Sequence, residues 1–583
     1  MVNRGRSQGC MTCKQRRVKC DEAKPKCRSC LRLGFRCRGY NKPKSTQFKF
    51  KDQNHRFYTK PNHNVHLRGN CHVVGAASSL RGSAESDAQD REAVNALSLQ
   101  RLSEPETAVP FFLGHYASMG RDMGSTRGFF EMLVPAYASQ RQESALSLAV
   151  SALASEILFV WRQDASSFRS PRKSYSRAIA RLLTAIQDPI ERSRPATVLA
   201  VLALQTYENA SAIYHLRRAS STHHDGAASL LLSIDPDGMD STARAYLQKF
   251  MLHTEVSTAI RQKRPLNSIA YSWMGSKDTS AVPDNPSSAL DTIGALFAEL
   301  QASYTQSMTQ GGSTTSLGRG LEEWRAEAMR LDAKLRAWAE TVPDRWRPLR
   351  LISGRDFDSS IPTYQSVCEV YPSCQIASVW NLWHIQRLLL AKMMLGSLNA
   401  FPDPSCFGFA YGHFLGDPTE LFACQQTLQE VVDRVCYSIP FHLGNRTTRV
   451  SLTDFTDPTV LLPSDCSLEG GTRQDRSGLV AGILRDGHRR HVIAQGPWRV
   501  MHPLSRLLTL FSEDDGEVIA SLLRPGQRDW IRDQFLRVAT LLHLPSHSGH
   551  GMERSEPSGG SADTKAGNLA KEIRKGAILM SGP

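Results

Sequence analysis

The feature that most constrains this chain is a cysteine motif that occurs twice within residues 10–37. The spacing Cys-x2-Cys-x6-Cys is filled first by Cys10, Cys13 and Cys20 and then, after a six-residue connector, by Cys27, Cys30 and Cys37. Zinc is usually tetrahedral and binds thiolates readily. Six sulfurs can give four ligands to each of two ions only if two of the sulfurs bridge both ions. Because Cys10 and Cys27 hold equivalent places in the two halves, the repeat predicts that they are the bridging pair.

The residues around the cysteines suit a small metal–thiolate cluster. Two Zn²⁺ ions and six thiolates carry a net charge of −2, so basic neighbours stabilise the cluster and help to keep the thiols deprotonated. Such neighbours stand at Lys14, Arg16, Arg17, Lys19, Lys24, Lys26, Arg28, Arg32, Arg36 and Arg38. Two alternatives are disfavoured. We expect no secretory leader, which argues against a disulfide knot, and a redox Cys-x-x-Cys would need a βαβ pattern around it. A zinc site of another topology is the strongest alternative.

With Lys14-Gln15-Arg16-Arg17-Val18-Lys19 in the first half and Lys24-Pro25-Lys26 before the second, the segment resembles the fungal-type Zn(2)-Cys(6) binuclear cluster. The resemblance implies two bound Zn²⁺ ions and a nuclear protein that binds double-stranded DNA and regulates RNA polymerase II transcription. It also implies two short helix–strand halves, the first of which enters the major groove and reads a CGG-type triplet. Its DNA contacts are expected from Lys14, Arg16, Arg17 and Lys19.

The chemistry of these basic residues supports that expectation. An arginine guanidinium matches the O6/N7 acceptor pair of guanine in the major groove, so Arg16 and Arg17 suit base contacts. Lys14 and Lys19 suit phosphates, which set the register on DNA but carry no sequence information. The alternative interpretation of the four is a solvated basic face.

The positive charge of the chain is concentrated at its beginning. Residues 1–60 contain 18 Lys and Arg against 3 Asp and Glu, whereas the other 523 residues contain 53 of each sign. This is typical of a nucleic-acid-binding module on a neutral body. We therefore assign 8–38 to a DNA-binding module and 39–107 to a basic, flexible linker. No heptad series persists between Tyr40 and Pro110, so homodimerisation stays open but no coiled coil supports it.

The body, assigned to 108–545, shows helical periodicity and is predicted to be all-α, followed by a disordered tail over 546–583 with a weak helix near 568–578. Within 320–341, a heptad seam runs from Leu321 to Trp338, which favours a core helix over a dimer interface. A strongly amphipathic helix is predicted around Trp380 and Trp383. The helices are expected over 143–162, 171–187, 195–207, 241–262, 287–304, 320–341, 374–398, 417–437, 493–511 and 515–543.

Two short motifs of the body resemble the helical regulatory domain that follows fungal zinc clusters. They are His223-His224-Asp225-Gly226-Ala227, and Ile439–Arg446 with Ala494–Trp498 downstream. We interpret the His223-His224-Asp225 triplet as a helix start rather than a metal site, and 485–491 as a solvated basic patch. The seven cysteines outside the doubled motif are expected to be reduced and mostly buried.

Three functions fit these observations. The first is a sequence-specific transcription factor that recruits the transcription machinery or co-regulators. The second makes the body a metabolite receptor that gates the DNA-binding module. The third is an enzyme with an added DNA-binding module, but GxSxG, HExxH, Walker A and strand-anchored GxGxxG motifs are absent, so we expect no enzyme. The interrupted apolar run 145–161 predicts a buried helix and no membrane association.

Overall fold

The computed structural model of the protein contains two compact units, one within 1–81 and one within 82–583. In the first unit, the described residues are 10–16, 18, 20, 21, 23, 26–32, 34, 36 and 37. In the second unit, they are 104–117, 123–125, 128–162, 170–234, 239–274, 285–309, 321–397, 418–467, 485–513, 516–545 and 562–576.

The first unit contains two short helices in equivalent positions. Helix α1 (Met11–Gln15) and helix α2 (Arg28–Arg32) each begin one residue after the first cysteine of their half, and they contact each other. The helical part of the predicted helix–strand halves is therefore confirmed. The described residues of this unit contain no strand.

The second unit is built mostly from helices, as predicted. Its first half contains α3 (Glu104–Phe112), α4 (Phe129–Ala138), α5 (Ala145–Trp161), α6 (Ser170–Gln187), α7 (Pro189–Arg192), α8 (Pro195–Tyr214), α9 (Thr222–Ser233), α10 (Ser241–Gln262), α11 (Ser268–Met274), α12 (Pro286–Thr309) and α13 (Leu321–Thr341). Its second half contains α14 (Cys374–Ser397), α15 (Pro418–Leu443), α16 (Pro463–Ser467), α17 (Arg485–Phe511), α18 (Gly516–Ser521), α19 (Gln527–Leu541) and α20 (Ala562–Gly576). Each predicted helical segment overlaps one of these, with 515–543 divided between α18 and α19.

Polar caps determine where several of these helices begin. The Ser144 hydroxyl accepts a hydrogen bond from the backbone N–H of Ser147 at 3.1 Å and starts α5. The Asp240 carboxylate accepts from two backbone N–H groups in the first turn of α10. Such caps satisfy N–H donors that have no partner within the helix.

The heptad seam of α13 faces the core. Trp324, Ala328, Leu331, Leu335 and Trp338 are all buried. The seam packs against α14, and the indole N–H of Trp383 donates to the backbone oxygen of Leu335 at 2.7 Å. The interpretation of this seam as a core helix rather than a dimer interface is therefore supported.

Helix α14 corrects the prediction of a strongly amphipathic helix. Its buried residues cover every face and include polar ones such as Asn381, His384 and Gln386. It contacts α12, α13, α15 and α17. The sequence around Trp380 and Trp383 thus forms a central helix rather than a surface one.

The prediction that the body is all-α is wrong, because β1 (Leu349–Ile352) pairs antiparallel with β2 (Val367–Val370), with Leu349 opposite Val370. In the tail, the helix predicted near 568–578 is present as α20. It begins earlier than predicted and packs against α17, and its residues Leu569, Ile573 and two alanines are buried, so the tail is not disordered throughout. None of the helices in the described ranges combines the length and the apolar content needed to cross a membrane.

Candidate metal centre and DNA-binding face

The six cysteines of the doubled motif converge on one cluster. None of them is in a disulfide; four are buried, while Cys20 and Cys37 are partly exposed. The sulfur atoms form two sets of four, and within each set all sulfurs lie within 4.8 Å of one another. Cys10 and Cys27 belong to both sets, which otherwise contain Cys13 with Cys20, and Cys30 with Cys37.

The spacing of the sulfurs fits zinc. Within the two sets, Cys10 Sγ lies 3.6 Å from Cys27 Sγ and 3.8 Å from Cys30 Sγ, and Cys13 Sγ lies 3.7 Å from Cys27 Sγ. Two sulfurs bound at about 2.3 Å to a tetrahedral ion are ~3.8 Å apart. The chain therefore offers a thiolate donor set that matches the preferred geometry and ligand type of Zn²⁺.

The local backbone explains how such a short segment gathers these sulfurs. In each half, the first turn of the helix directs a backbone N–H back to the first cysteine. Cys13 N lies 3.3 Å from Cys10 Sγ, and Cys30 N lies 3.3 Å from Cys27 Sγ. These bonds would stabilise the thiolate form of the two shared sulfurs and orient them as ligands.

Asp21 connects the first half to the second helix. Its carboxylate accepts hydrogen bonds from the backbone N–H groups of Arg28, at 2.9 Å, and Ser29, at 3.1 Å. The bond from Ser29 and that from Arg28 lower the pKa of the Asp21 carboxyl. The carboxylate is thus held charged at the start of α2, where its negative charge also interacts favourably with the helix dipole.

Burial disfavours the thiolate form of the inner cysteines. Desolvation raises the pKa of Cys10 and Cys27, and it raises that of Cys13 to about 12. Without a cation these thiols would hold their protons at neutral pH. Metal binding at such a site displaces protons, and its free energy contributes to folding.

Comparison with known proteins identifies the segment. Residues 8–47 match the family described as the fungal Zn(2)-Cys(6) binuclear cluster domain. The chain carries a Zn(2)-Cys(6) binuclear cluster domain. A segment of 37 residues is also 60% identical to the aspercryptin biosynthesis cluster-specific transcription regulator atnN of Emericella nidulans. That match covers 6% of this chain and 6% of the relative, and no solved structure matches the chain.

The identification carries several consequences. A binuclear cluster domain binds two zinc ions, and domains of this kind bind DNA. The predicted cofactor, its stoichiometry and the DNA-binding character of the module are thereby confirmed. The family match covers residues 8–47 and the match to the relative covers 37 residues, so most of the chain is covered by neither comparison.

The basic residues predicted to contact DNA are only partly described. Arg16 is exposed and lies one residue beyond α1, with its backbone N–H bonded to Thr12 O at 3.1 Å. Lys14 lies on α1, but its side chain is outside the described part of the structure, as are Arg17 and Lys19. Their roles in the binuclear cluster domain stay predictions.

The histidine motif of the body forms a helix start. His223 Nε2 lies 3.3 Å from Glu208 Oε1, and the backbone N–H of His224 donates to Gln205 Oε1 at 3.0 Å. Asp225 lies in the first turn of α9. Among the described residues, the side chains grouped closely enough to hold a metal ion are cysteines of the cluster domain alone. These contacts support the interpretation as a helix start.

The second body motif connects the end of α15 to α17. Arg446 is buried and donates to the backbone oxygens of His442, Leu443 and Ile493 at 3.0–3.2 Å. Gly496 allows the close approach, because a Cβ there would lie 2.0 Å from the backbone oxygen of His442. In this structure the residues of the motif hold the end of α15 against α17.

The prediction of a solvated basic patch over 485–491 is wrong. His488 and His491 are buried, and His491 Nε2 accepts a hydrogen bond from the backbone N–H of Cys374 at 3.1 Å. Arg489 is half-buried and pairs with Asp465 at 2.7 Å. Over 487–491, the part of the segment whose burial is described, the residues are buried or half-buried rather than fully solvated.

Among the seven other cysteines, four have described side chains. All four are free and buried, as expected, namely Cys368, Cys374, Cys424 and Cys436. Cys71 and Cys406, and the side chain of Cys466, lie outside the described residues.

Proposed function

We propose that this protein is a zinc-dependent, sequence-specific transcription factor that acts in the nucleus on genes transcribed by RNA polymerase II. The observation that carries the proposal is the pair of four-sulfur sets that share Cys10 and Cys27, in the segment that holds the excess positive charge of the chain. A basic peptide this short has too little apolar surface to fold alone, so metal binding would supply its stability.

The proposed mechanism assigns separate roles to the residues of the domain. The six cysteines would hold two zinc ions, with Cys10 and Cys27 contributing to both four-sulfur sets and the other four cysteines to one set each. The bound ions would connect the two halves rigidly. The first half would enter the major groove, where Arg16 and Arg17 bind guanines of a CGG-type triplet and Lys14 and Lys19 bind phosphates.

Selection from a random duplex pool by the full chain tests this function. We expect enrichment of a CGG-type triplet, and spacing between two enriched triplets would show whether the protein binds as a homodimer. Arg17→Ala should weaken binding to the selected sequence by ~1–3 kcal/mol and reduce discrimination among sequences.

Lys19→Ala is the matched control, since it removes one positive charge from the same segment. It should weaken binding to all sequences about equally and reduce the salt dependence. If Arg17→Ala weakened binding to every sequence by the same amount, Arg17 would contact a phosphate rather than a base. Binding that survives removal of zinc by a chelator would contradict the proposed mechanism as a whole.

A further inference from the structure

A basic cleft lies within the helical body, far in sequence from the cluster domain. Its volume is about 1120 Å³, and it is bounded by the C-terminal helix α20, the end of α10, the end of α17 and the segment 218–221 before α9. We refer to it as the α20 cleft. A volume of this size is sufficient for a metabolite-sized ligand.

The charges around the α20 cleft are unbalanced. Among the described residues that line it, four arginines and three lysines face two glutamates, Glu513 and Glu572. Glu513 is already shared, because its carboxylate lies 2.5 Å from Lys392 Nζ and 3.5 Å from both Lys263 Nζ and Arg506 Nη1. Glu572 pairs with Lys575 on the same helix at 2.6 Å. The described acidic groups therefore leave a positive excess in the cleft.

Two of the lining arginines are buried and have donors without a partner. Arg506 and Arg574 are 5% and 8% exposed. Arg506 Nε and Arg574 Nη1 are buried and make no hydrogen bond. A buried guanidinium donor without an acceptor is costly, so such atoms call for an explanation. Burial and the neighbouring Arg506 and Arg261 also lower the pKa of Arg574.

The helix that closes the cleft is held to the body by polar contacts at several points. Asp563 pairs with Arg532 at 2.8 Å, Lys571 Nζ donates to Ser512 O, and the backbone N–H of Ala219 donates to Lys575 O. Arg574 thus reaches the cleft from α20, while Arg506 reaches it from α17. A ligand held by both arginines would join the two helices.

We propose that the α20 cleft binds a small polyanion, a molecule with two or more phosphate or carboxylate groups, and that this ligand fastens α20 to the body. Arginine binds such groups through paired, charge-assisted hydrogen bonds. The two donors without partners lie on buried side chains, which favours a compact anion over the backbone of a nucleic acid. This proposal does not depend on DNA binding by the cluster domain.

Thermal unfolding of the full chain with defined anions tests the proposal. Sodium tripolyphosphate, citrate and phosphate are each compared with sodium chloride at equal ionic strength. We expect tripolyphosphate or citrate to raise the Tm above the chloride value and to slow amide hydrogen exchange in 562–576. Arg574→Gln should weaken the affinity ~10-fold or more by calorimetry.

The same variant separates a ligand role from a structural one. Without added anion, Arg574→Gln should raise the Tm, because it removes an uncompensated buried charge. Arg177→Gln, which removes an exposed arginine paired with Glu143, should leave the anion response unchanged. Lys575→Gln, at an exposed position of the cleft rim, should weaken the anion response without unfolding the protein.

Three results would overturn the proposal. The first is that no anion exceeds chloride. The second is an anion response that persists unchanged in both Arg574→Gln and Lys575→Gln. The third is a short DNA duplex that binds this cleft in preference to tripolyphosphate, shown by binding that Arg574→Gln abolishes and Cys27→Ser retains. A normal anion response in Cys27→Ser would confirm that the cleft acts independently of the zinc sites.

Discussion

The shared sulfurs give the six cysteines unequal importance. Cys27 belongs to both four-sulfur sets, whereas Cys37 belongs to one. Cys27→Ser should therefore deprive both metal sites of a ligand, and Cys37→Ser only one. We expect native mass spectrometry of the full chain to find two zinc ions in the wild type, one in Cys37→Ser and none in Cys27→Ser. Equal zinc loss in the two variants would contradict the bridging role.

The same residues show how far a sequence can predict a site. The cluster was predictable because its ligands lie within 28 residues, and their spacing reflects two local helix starts. The burial of His491 was not predictable, because its partner Cys374 lies 117 positions away. A run of arginines and histidines is typical of a surface, and only tertiary packing places this one inside.

At the scale of elements, periodicity was informative where one face of a helix is exposed. The α13 seam was recognisable because its bulky apolar residues recur every three or four positions, while exposed positions such as Glu323, Lys334 and Glu340 are charged. Helix α14 has no outward face, so its polar residues obscured its central position. The strands β1 and β2 span four residues each, which is too short for an alternating pattern to stand out. Helix α20 owes its order to packing against α17 rather than to its own length.

Two glycines of the body motifs allow a matched test of helix packing. Gly496 lies where a Cβ would meet the backbone oxygen of His442 at 2.0 Å, and a backbone atom cannot rotate away. Gly496→Ala should therefore destabilise the protein by about 1–3 kcal/mol or more. Gly226 lies within α9 with open space around it, so Gly226→Ala should stabilise by about 1 kcal/mol.

The measurement is the Tm of each variant at neutral pH, with the wild type alongside. A lower Tm for Gly496→Ala with a higher Tm for Gly226→Ala supports close contact between α15 and α17. If both alanines raised the Tm, the two helices could not approach as closely as the structure shows.

At the scale of the whole molecule, one apolar core extends from Ala108 in α3 to Ile573 in α20. The α20 cleft is assembled across this core from segments near 218, 261, 506 and 574, and no local pattern joins them. For this reason the cleft could not be predicted from the sequence, whereas the cysteine cluster could. A site whose parts are hundreds of residues apart becomes visible only after the helices are packed.

The same extensive core should make the body sensitive to acid. Burial lowers the pKa of three histidines that are at most 3% exposed, to about 3 for His384 and His442 and about 4 for His488. In the unfolded chain these groups would titrate near 6.5. Below that pH the unfolded state binds more protons than the native state, so stability falls as the pH falls. Glu156 opposes this trend in part, because burial raises its pKa to about 7.

As the pH falls from 7.5 to 5.5, each of these three histidines should lower the free energy of unfolding by about 1.4 kcal/mol, or about 4 kcal/mol together. We therefore expect the Tm of the full chain to drop over this range at constant ionic strength. His384→Gln should flatten the drop in stability by about 1.4 kcal/mol, because glutamine cannot be protonated in the unfolded chain. A Tm that stays level in the wild type, or a pH profile identical in His384→Gln, would show that these imidazoles are not held neutral inside the body.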